Sequence, residues 1–508
     1  MDKTKLILAA AALLLTTACA NEDVNKDNDN VANKGLTAFV SGDEPASRTS
    51  MDHTAGGKGK FFWTTGDNIW VDNSGTPESS TSSSIMGKTN YAKFYFASTF
   101  PGTSYPVTYT GKSSTKANEV TIAASQTQSA PNNTDHFATS GDCGTATATG
   151  SGNEFAFKLK HQAAYICILP RCTNVPLGKN IYLTKVVVTS DNDIAGTYTL
   201  SNTGLAPKSG GTKTITLTMQ GAGTDPGFKM TNTTANITLN GAYMVIAPGH
   251  HTLTIDCYIK DPVTNVEGPI TQTVSTTFAA NTVTDITANL TPTIYSVDSY
   301  YMWDAQQSYW HGHLDSNGMP DGNYPQSKVA DPDRWVNEGA GYGDHSGASP
   351  AYVPTNPLFQ LLANANELSW YCMQGDPHWD NTILWAVEGH LYVGGMWFKK
   401  KANISGYRTD AATNGSDGTR RYTVLGFYFS NNSITSGKPG NLNDYFYLPA
   451  LGYYNNGTLE DAGNSGCYFS STPHPFKGGN AFNLYFDNSR VKVTSDSGPW
   501  GFQLFTAQ

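Results

Sequence analysis

The most regular feature of the chain is an alternation of apolar and polar residues in short runs between positions 35 and 290. Side chains of a β-strand point alternately to its two faces, so this pattern predicts strands with one side in a core and the other in water. The alternating runs are residues 92–97, 104–110, 155–170, 181–190, 214–219, 242–249, 251–260 and 282–290. Turn residues separate them, which predicts two β-sandwich subdomains that join within the polar stretch 191–207.

The N-terminus follows a different pattern. Two lysines precede an unbroken apolar run at residues 6–15, and small residues lead to Cys19. This order is typical of a secretory signal over residues 1–18, and the run is shorter than the roughly 20 apolar residues of a membrane-spanning helix. Residues 19–34 are polar and acidic and lack aromatic residues, which predicts a tether that does not fold by itself.

The composition changes at residues 291–298, which we interpret as a linker. Only Trp63 and Trp70 precede it, and every other tryptophan lies from Trp303 onward. This shift predicts a separate domain over residues 299–508.

Composition narrows the class of protein. Hydrophobic residues make up 38% of the chain, whereas charged residues make up only 14%, against about 25% in a typical globular protein. Abundant serine, threonine, asparagine, glycine and aromatic residues suit an extracellular β-protein. The formal charge is −9, and no basic block is present, so we expect no nucleic-acid partner.

The six cysteines after Cys19 are sparse and include no Cys-x-x-Cys pair, so we expect no zinc site. Cys167 and Cys172 are close enough in sequence to close a small loop, and Cys372 shares the last domain with Cys467. Free buried thiols are equally compatible with this spacing, and we assign no disulfide.

Three parts of the sequence resemble known families. The residues before Cys19 resemble a bacterial lipobox, although Thr16 stands where most lipoboxes carry an aliphatic residue, and the acidic tether resembles the surface-export signal of Bacteroidota lipoproteins. This resemblance implies a lipid on Cys19 and a location at the outer-membrane surface, in a fimbrium, or both. The alternative is an ordinary signal peptide cut near Ala18 or Ala20.

Residues 62–71 (FWTTGDNIWV), preceded by Arg48 and Thr49, resemble the opening of the fimbrillin-like proteins of Bacteroidota, and residues 157–164 (FKLKHQAA) are similar to a later strand of that family. The family implies proteolytic processing after Arg48, which removes the first strand and opens a groove for a strand of a neighbouring pilus subunit. A chain that is never cut is the alternative. We interpret Trp63, Trp70 and His161 as core residues.

The motifs L-P-A-x-G-Y at 448–453, Y-F-S-S-T at 468–472, L-Y-F at 484–486 and G-F at 501–502 resemble the Fibrobacter succinogenes major paralogous domain, thought akin to C-type-lectin-like folds. Gln503 follows where that family often carries an arginine, so an anion contact there is in doubt. The expected fold class is therefore mainly β, with fimbrillin-like β-sandwich subdomains at 35–290 and an irregular α+β C-type-lectin-like domain at 299–508.

The candidate chemistry lies around residue 380. Asp376, His378 and Asp380 alternate along the chain and could converge on a cation, but a turn explains them equally, and we expect no metal. Trp379, Trp385 and Trp397 could form an aromatic face for a sugar or simply fill a core. We predict a ligand site formed by Asp376, His378, Trp379, Asp380 and Trp397.

No G-x-S-x-G, H-E-x-x-H or phosphate-binding loop is present, so we expect no catalytic residue and no cofactor. A glycosidase pair among the carboxylates of Glu367, Asp376, Asp380 and Glu388 stays an open alternative, and His311 with His313 is interpreted as a turn.

The expected function is a surface adhesin, specifically a pilus tip subunit that accepts a strand but does not donate one. Its expected partners are pilus subunits, a glycan or protein on a host, microbial or dietary surface, and the membrane through the lipid. The alternatives are a stand-alone glycan-binding lipoprotein and a glycan-processing enzyme.

Overall fold

The computed structural model describes residues 33–42, 50–112, 114–337, 353–419, 427–474, 480–497 and 499–508. Cys19 and Arg48 lie outside these ranges. The described chain is mainly β, as the alternation predicted. Within the described ranges, no helix has the length and apolarity needed to cross a membrane.

The strands up to residue 290 are β1 Thr37–Ser41, β2 Ser50–Asp52, β3 Lys60–Phe62, β4 Trp70–Asn73, β5 Thr76–Ser79, β6 Ser82–Ser83, β7 Ala92–Phe96, β8 Ser104–Tyr109, β9 Glu119–Ile122, β10 Ser125–Gln128, β11 Gly144–Ser151, β12 Glu154–Phe157, β13 Lys160–His161, β14 Ala164–Arg171, β15 Tyr182–Ser190, β16 Ala195–Ser201, β17 Gly204–Thr212, β18 Thr214–Met219, β19 Phe228–Lys229, β20 Ala242–Ile246, β21 Gly249–Asp261, β22 Val266–Phe278 and β23 Val283–Asn289. Three single-turn helices accompany them: α1 Phe137–Ser140, α2 Val175–Gly178 and α3 Ile237–Asn240.

The later strands are β24 Thr293–Ile294, β25 His378–Trp379, β26 Trp385–Val387, β27 His390–Tyr392, β28 Gly395–Lys399, β29 Phe429–Asn431, β30 Thr435–Ser436, β31 Tyr445–Pro449, β32 Tyr453–Asn455, β33 Thr458–Glu460, β34 Ser465–Pro473, β35 Asn480–Asp487, β36 Arg490–Ser497 and β37 Gln503–Leu504. The helices of this part are α4 Pro357–Gln360 and α5 Ala365–Gln374, and short 3₁₀ turns lie at Val297–Ser299, Lys401–Asn403 and Leu442–Asp444.

The first subdomain is a nine-stranded sheet in the order β5-β4-β8-β11-β12-β1-β7-β6, with β13 paired to β11. Strand β1 lies inside this sheet, parallel to β12 and antiparallel to β7. Its Phe39 is fully buried and stacks on Phe155 with ring centroids 5.0 Å apart. Trp63, also fully buried, donates its indole N–H to Ser41 Oγ at 2.9 Å. The stacking of Phe39 and the hydrogen bond from Trp63 to Ser41 therefore hold β1 in the sheet.

The second subdomain contains a six-stranded sheet (β10-β18-β15-β21-β22, with β19 on β15), the sheet β20-β14-β23 and the sheet β17-β16-β9. One buried cluster joins all three sheets. Residues 191–207, where we expected the join, contain β16 and most of the β16–β17 hairpin, and Ile194 and Tyr198 belong to this cluster. Between Leu159 and Ala163 the chain passes from the buried cluster of the nine-stranded sheet to this cluster, which also contains Met51, Phe61 and Val120.

His161 lies at this change of clusters and is fully buried. Its Nδ1 is 2.7 Å from Asp142 Oδ1, and the Tyr165 hydroxyl donates to the same oxygen at 2.5 Å. Phe61 stacks on the imidazole with centroids 3.9 Å apart. The environment is that of a core histidine with polar partners.

The last domain packs two buried clusters around the sheets β30-β25-β28-β31 and β29-β36-β35-β34-β37. Helix α5 begins at a capping box, in which the Asn364 side chain accepts from Glu367 N and Glu367 accepts from Asn364 N. Within residues 291–298, which we interpreted as a linker, β24 pairs in parallel with β26. Leu384 and Leu391 extend the core of the second subdomain, so the two halves share buried surface.

Candidate ligand-binding site

A groove of about 340 Å³ opens on the last domain, between strand β25, the loop before β34 and the β35–β36 turn. We call it the Trp379 cleft; its lining residues are Trp379, Asp461, Asn464, Ser465, Tyr485, Asp487, Asn488 and Ser489. Two aromatic rings are thus placed among carboxylate, amide and hydroxyl groups.

Backbone geometry fixes the position of Trp379. Strand β25 pairs with β28, which places Trp379 opposite Met396. A Cβ at Gly394 would lie 3.0 Å from Trp379 Cζ2 and 2.5 Å from the carbonyl oxygen of Gly463, and the φ of Gly394 is +102°. Only glycine adopts that φ without strain and leaves space for the indole. The Trp379 indole therefore packs directly against the backbone at Gly394.

The β35–β36 turn orients the Asp487 carboxylate. Its Oδ1 accepts from the Ser489 amide at 2.8 Å and from the Ser489 hydroxyl at 2.6 Å. Its Oδ2 accepts from the Tyr485 hydroxyl at 2.9 Å and from Arg490 Nε at 3.1 Å. Partial burial opposes ionisation, yet the hydrogen bonds from Ser489 and Tyr485 and the charge of Arg490 lower the pKa of Asp487. The cleft therefore carries a preorganised negative charge at neutral pH.

A tight turn before β34 supplies three more lining residues of the cleft. Asp461 has a φ of +58°, and its carbonyl accepts from the amides of Asn464 at 2.9 Å and Ser465 at 3.0 Å. Asp461 and Asn464 line the groove together with Asp487. Ser465, which follows them, is the direct strand partner of Asp487. Carboxylates accept and amides both donate and accept, so these side chains can bind neighbouring hydroxyls of one ligand.

The predicted site residues divide between two faces of the β25–β28 sheet, because neighbouring side chains on a strand point in opposite directions. Trp379 enters the cleft, whereas His378 and Asp380 lie on the other face. Asp380 is fully buried; it accepts from the Trp397 indole at 3.0 Å and from the Thr382 amide at 2.8 Å. Asp380 and Trp397 are therefore hydrogen-bonded to each other, and neither is among the residues that line the Trp379 cleft.

Asp376 and His378 belong to a charged patch with Lys399 and Tyr445. The Asp376 carboxylate accepts from the Tyr445 hydroxyl at 2.6 Å, lies 3.3 Å from Lys399 Nζ and 3.7 Å from His378 Nε2. These contacts, first the bond from Tyr445, lower the pKa of Asp376. The three residues Asp376, His378 and Asp380 do not converge on one point, since Asp380 pairs with Trp397 instead.

The remaining candidates have structural partners. Trp385 is buried and stacks on Tyr392 with centroids 5.1 Å apart. Glu367 caps α5, and Glu388 accepts from the Tyr454 hydroxyl at 3.1 Å. His313 Nδ1 lies 3.2 Å from Asp321 at the surface. The six cysteines after Cys19 are free and buried.

Sequence reasoning missed most of the cleft. Asp461, Asn464, Asp487 and Asn488 lie about a hundred residues from Trp379 in sequence and reach it only through strand pairing. The one local signal was the run Asp487-Asn488-Ser489, which is typical of a turn that exposes polar side chains.

No family model matches the chain, and no curated protein matches it. Among solved structures, a candidate cell adhesion protein of Bacteroides uniformis is 16% identical, with 50% of this chain and 93% of that chain covered and a TM-score of 0.30. A candidate cell adhesion protein of Bacteroides ovatus is 13% identical, with 50% and 93% covered and a TM-score of 0.30. The fimbrial anchor protein Mfa2 of Porphyromonas gingivalis is 7% identical, with 47% and 82% covered and a TM-score of 0.22. At these identities and TM-scores the likenesses assign no function to the chain.

Proposed function

We propose that the chain is a cell-surface adhesin that binds glycan in the Trp379 cleft. The observation that carries the proposal is that the Trp379 ring lines one groove together with the polar side chains of Asp461, Asn464, Asp487 and Asn488. The C–H face of a sugar ring is apolar and packs on an aromatic ring, while its hydroxyls need acceptors and donors at the rim. The cleft offers both within one open groove.

Binding fits the cleft better than hydrolysis does. A glycosidase needs one carboxyl group that stays protonated near neutral pH as a general acid. Three hydrogen bonds and the charge of Arg490 lower the pKa of Asp487, and Glu367 and Asp380 accept hydrogen bonds from a helix N-terminus and from Trp397. Burial raises the pKa of Glu388, but Glu388 is not among the residues that line the cleft. These contacts favour a recognition role for the acidic residues.

A glycan array with purified protein tests this function. We expect selective binding that Trp379→Ala abolishes and Asn488→Ala weakens at least about tenfold, which corresponds to 1.4 kcal/mol. Tyr445→Phe, in the charged patch on the other sheet face, is the matched control and keeps full binding. Equal binding by all four proteins, or release of sugar fragments by the wild type, would contradict the proposal.

The position of β1 supports a second part of the proposal: the adhesin is a pilus tip subunit that accepts a strand after cleavage at Arg48. Loss of β1 leaves β12 and β7 with unpaired backbone groups on facing edges, a template for a strand from another subunit. The segment around β37 is not free to fill such a groove elsewhere, because Gln503–Leu504 pair with β34 and Phe505 is buried.

A chain that begins at Thr49 tests strand acceptance. We expect it to bind a synthetic peptide of residues 33–42 and to recover its melting temperature, whereas the same peptide with Phe39→Ala binds weakly. Failure of the wild-type peptide to bind the folded shortened chain would refute the idea. In cells, labelling along whole fibres rather than at their ends would exclude a tip subunit, and a lipid-bearing chain starting at Cys19 with no fibre association would favour the stand-alone lipoprotein.

A further inference from the structure

Three metal-ligating side chains that are distant in sequence meet in the second subdomain. A ring nitrogen of His53, the Sγ of Cys167 and a carboxylate oxygen of Asp285 all lie within 4.8 Å of one another. His53 Nε2 is 2.8 Å from Asp285 Oδ1. None of the three belongs to a local sequence motif, which is why the spacing of the cysteines gave no indication of the cluster.

Strand register creates the cluster. Strands β14 and β23 run parallel, and Cys167 is the direct partner of Asp285. Direct partners on neighbouring strands lie about 4.8 Å apart and point to the same face. The residue after β2, His53, covers this pair, and the hairpin is fixed there by Thr134, whose hydroxyl accepts from Met51 N at 2.6 Å and donates to Met51 O at 2.9 Å.

The surroundings favour a ligand over a simple ion pair. The side chains of His53 and Cys167 are fully buried, and Asp285 is 19% exposed. The second ring nitrogen of His53, Nδ1, is buried and has no hydrogen-bond partner among the described residues. Asp285 Oδ2 accepts from Gly56 N at 2.5 Å, which orients the carboxylate with Oδ1 toward the histidine. The atoms that face each other in this buried setting are therefore His53 Nε2 and Asp285 Oδ1, with the Cys167 Sγ nearby.

We propose that His53, Cys167 and Asp285 bind a divalent transition-metal ion of the zinc class. Nitrogen, sulfur and oxygen donors of this kind suit zinc, whereas calcium prefers oxygen alone. The thiol proton is released on binding, and thiolate plus carboxylate then balance the two charges of the ion. Tetrahedral ligands lie roughly 3.3 to 3.7 Å apart, so the histidine and aspartate separate by about half an ångström.

The ion cross-links the β2–β3 hairpin to two core strands. The three ligands come together only in the folded chain. The ion therefore binds the folded chain in preference to the unfolded chain, and binding stabilises the fold. The hairpin begins directly after the segment that contains Arg48, so the metal holds in place the new N-terminus that cleavage there would create. The site is independent of the Trp379 cleft, which lies in the other domain.

Metal titration of the intact, tag-free chain after chelator treatment tests the site, with Zn²⁺ for stability and Co²⁺ as a spectroscopic probe. We expect one ion per chain, a rise in melting temperature of about 3 °C or more with Zn²⁺, and a thiolate-to-cobalt absorption band in the near ultraviolet. Cys167→Ser removes the band and His53→Gln weakens binding at least about tenfold.

Cys257→Ser is the matched control, because Cys257 is a buried thiol of the same core that lies outside the cluster; it keeps the band and the stoichiometry. Circular dichroism confirms that each variant is folded, and His53→Gln decides the matter if Cys167→Ser does not fold. Absence of saturable binding, cobalt binding without a thiolate band, or undiminished binding by His53→Gln would each overturn the proposal.

Discussion

The Asp261 carboxylate lies 2.9 Å from His390 Nδ1, and this contact joins the β21–β22 hairpin to strand β27 of the last domain. Asp261 is fully buried, and its Oδ2 also accepts from Leu391 N at 3.1 Å. Nearby, Thr264 donates to the carbonyl of Leu391 at 2.7 Å, and Asn180 donates to that of Gly389 at 2.8 Å. The two halves of the protein are therefore docked through specific polar contacts, which present the Trp379 cleft in a fixed orientation.

The Asp261–His390 pair makes the junction sensitive to pH. The hydrogen bond with Asp261 raises the pKa of His390. Burial opposes ionisation of Asp261, but hydrogen bonds from His390 and the amides of Leu391 and Val263 lower the pKa of Asp261. The stability that protonated His390 contributes is fully present below about pH 6.5 and is lost as the pH rises through the raised pKa of His390. The stability that ionised Asp261 contributes is present above about pH 3.9 and is lost as the pH falls through the lowered pKa of Asp261.

We therefore expect His390→Asn to lower the free energy of unfolding by about 1–2 kcal/mol near pH 5.5 and by less near pH 8.5. Denaturant unfolding at the two pH values measures the difference, with the exposed His311→Asn as control. A deficit that grows toward alkaline pH would show that the ion pair is not its source.

Gly394→Ala should displace Trp379. The added methyl meets the indole and the carbonyl of Gly463, and the positive φ strains any other residue. We expect a loss of stability of about 1–3 kcal/mol and at least about a tenfold loss of glycan affinity, measured by thermal unfolding and calorimetric titration. Gly440→Ala, which adds a methyl in open space, should change neither quantity; unaltered affinity in Gly394→Ala would remove Trp379 from the binding site.

Phe39→Ala tests the packing of β1. The ring is fully buried among Phe96, Phe100 and Phe155, so its truncation should lower the free energy of unfolding by about 3–5 kcal/mol. Met86→Ala, at a residue that is 89% exposed, should stay within about 0.5 kcal/mol of the wild type. Similar stabilities for the two variants would mean that β1 is already detached in solution.

The substitution Asp380→Asn tests whether Asp380 stabilises the fold or contacts the ligand. The amide replaces an acceptor that serves the Trp397 indole and the Thr382 amide and hydroxyl, so stability should fall by about 1.5–3 kcal/mol. Glycan affinity of the folded variant should stay within about twofold of the wild type. A variant that keeps wild-type stability but no longer binds glycan would show that Asp380 contacts the ligand.

The alternation of apolar and polar residues predicted the positions of individual strands. The runs 104–110, 181–190 and 214–219 correspond within one residue to β8, β15 and β18, because alternation records which face of each strand is buried. The run 155–170 instead forms β12, β13 and β14, since the chain leaves one subdomain for the next within it. Alternation cannot show to which sheet a strand belongs.

The candidate site was predictable only in part for the same reason. Trp379 was identifiable as an aromatic residue in a polar stretch, but its strand neighbours His378 and Asp380 had to point the other way. Asp487 and Asn488 reach the cleft through the pairing of β34, β35 and β36, and His53 reaches Cys167 and Asp285 through a hairpin. Such sites depend on register between distant strands, which composition and spacing do not encode.

The most direct test of the adhesin proposal is a crystal structure of the protein with the oligosaccharide that binds most tightly on the array. We expect a sugar ring stacked on Trp379, with its hydroxyls bonded to the side chains of Asp487 and Asp461. A sugar bound at the charged patch of Asp376 and Tyr445, or anywhere outside the Trp379 cleft, would contradict the account.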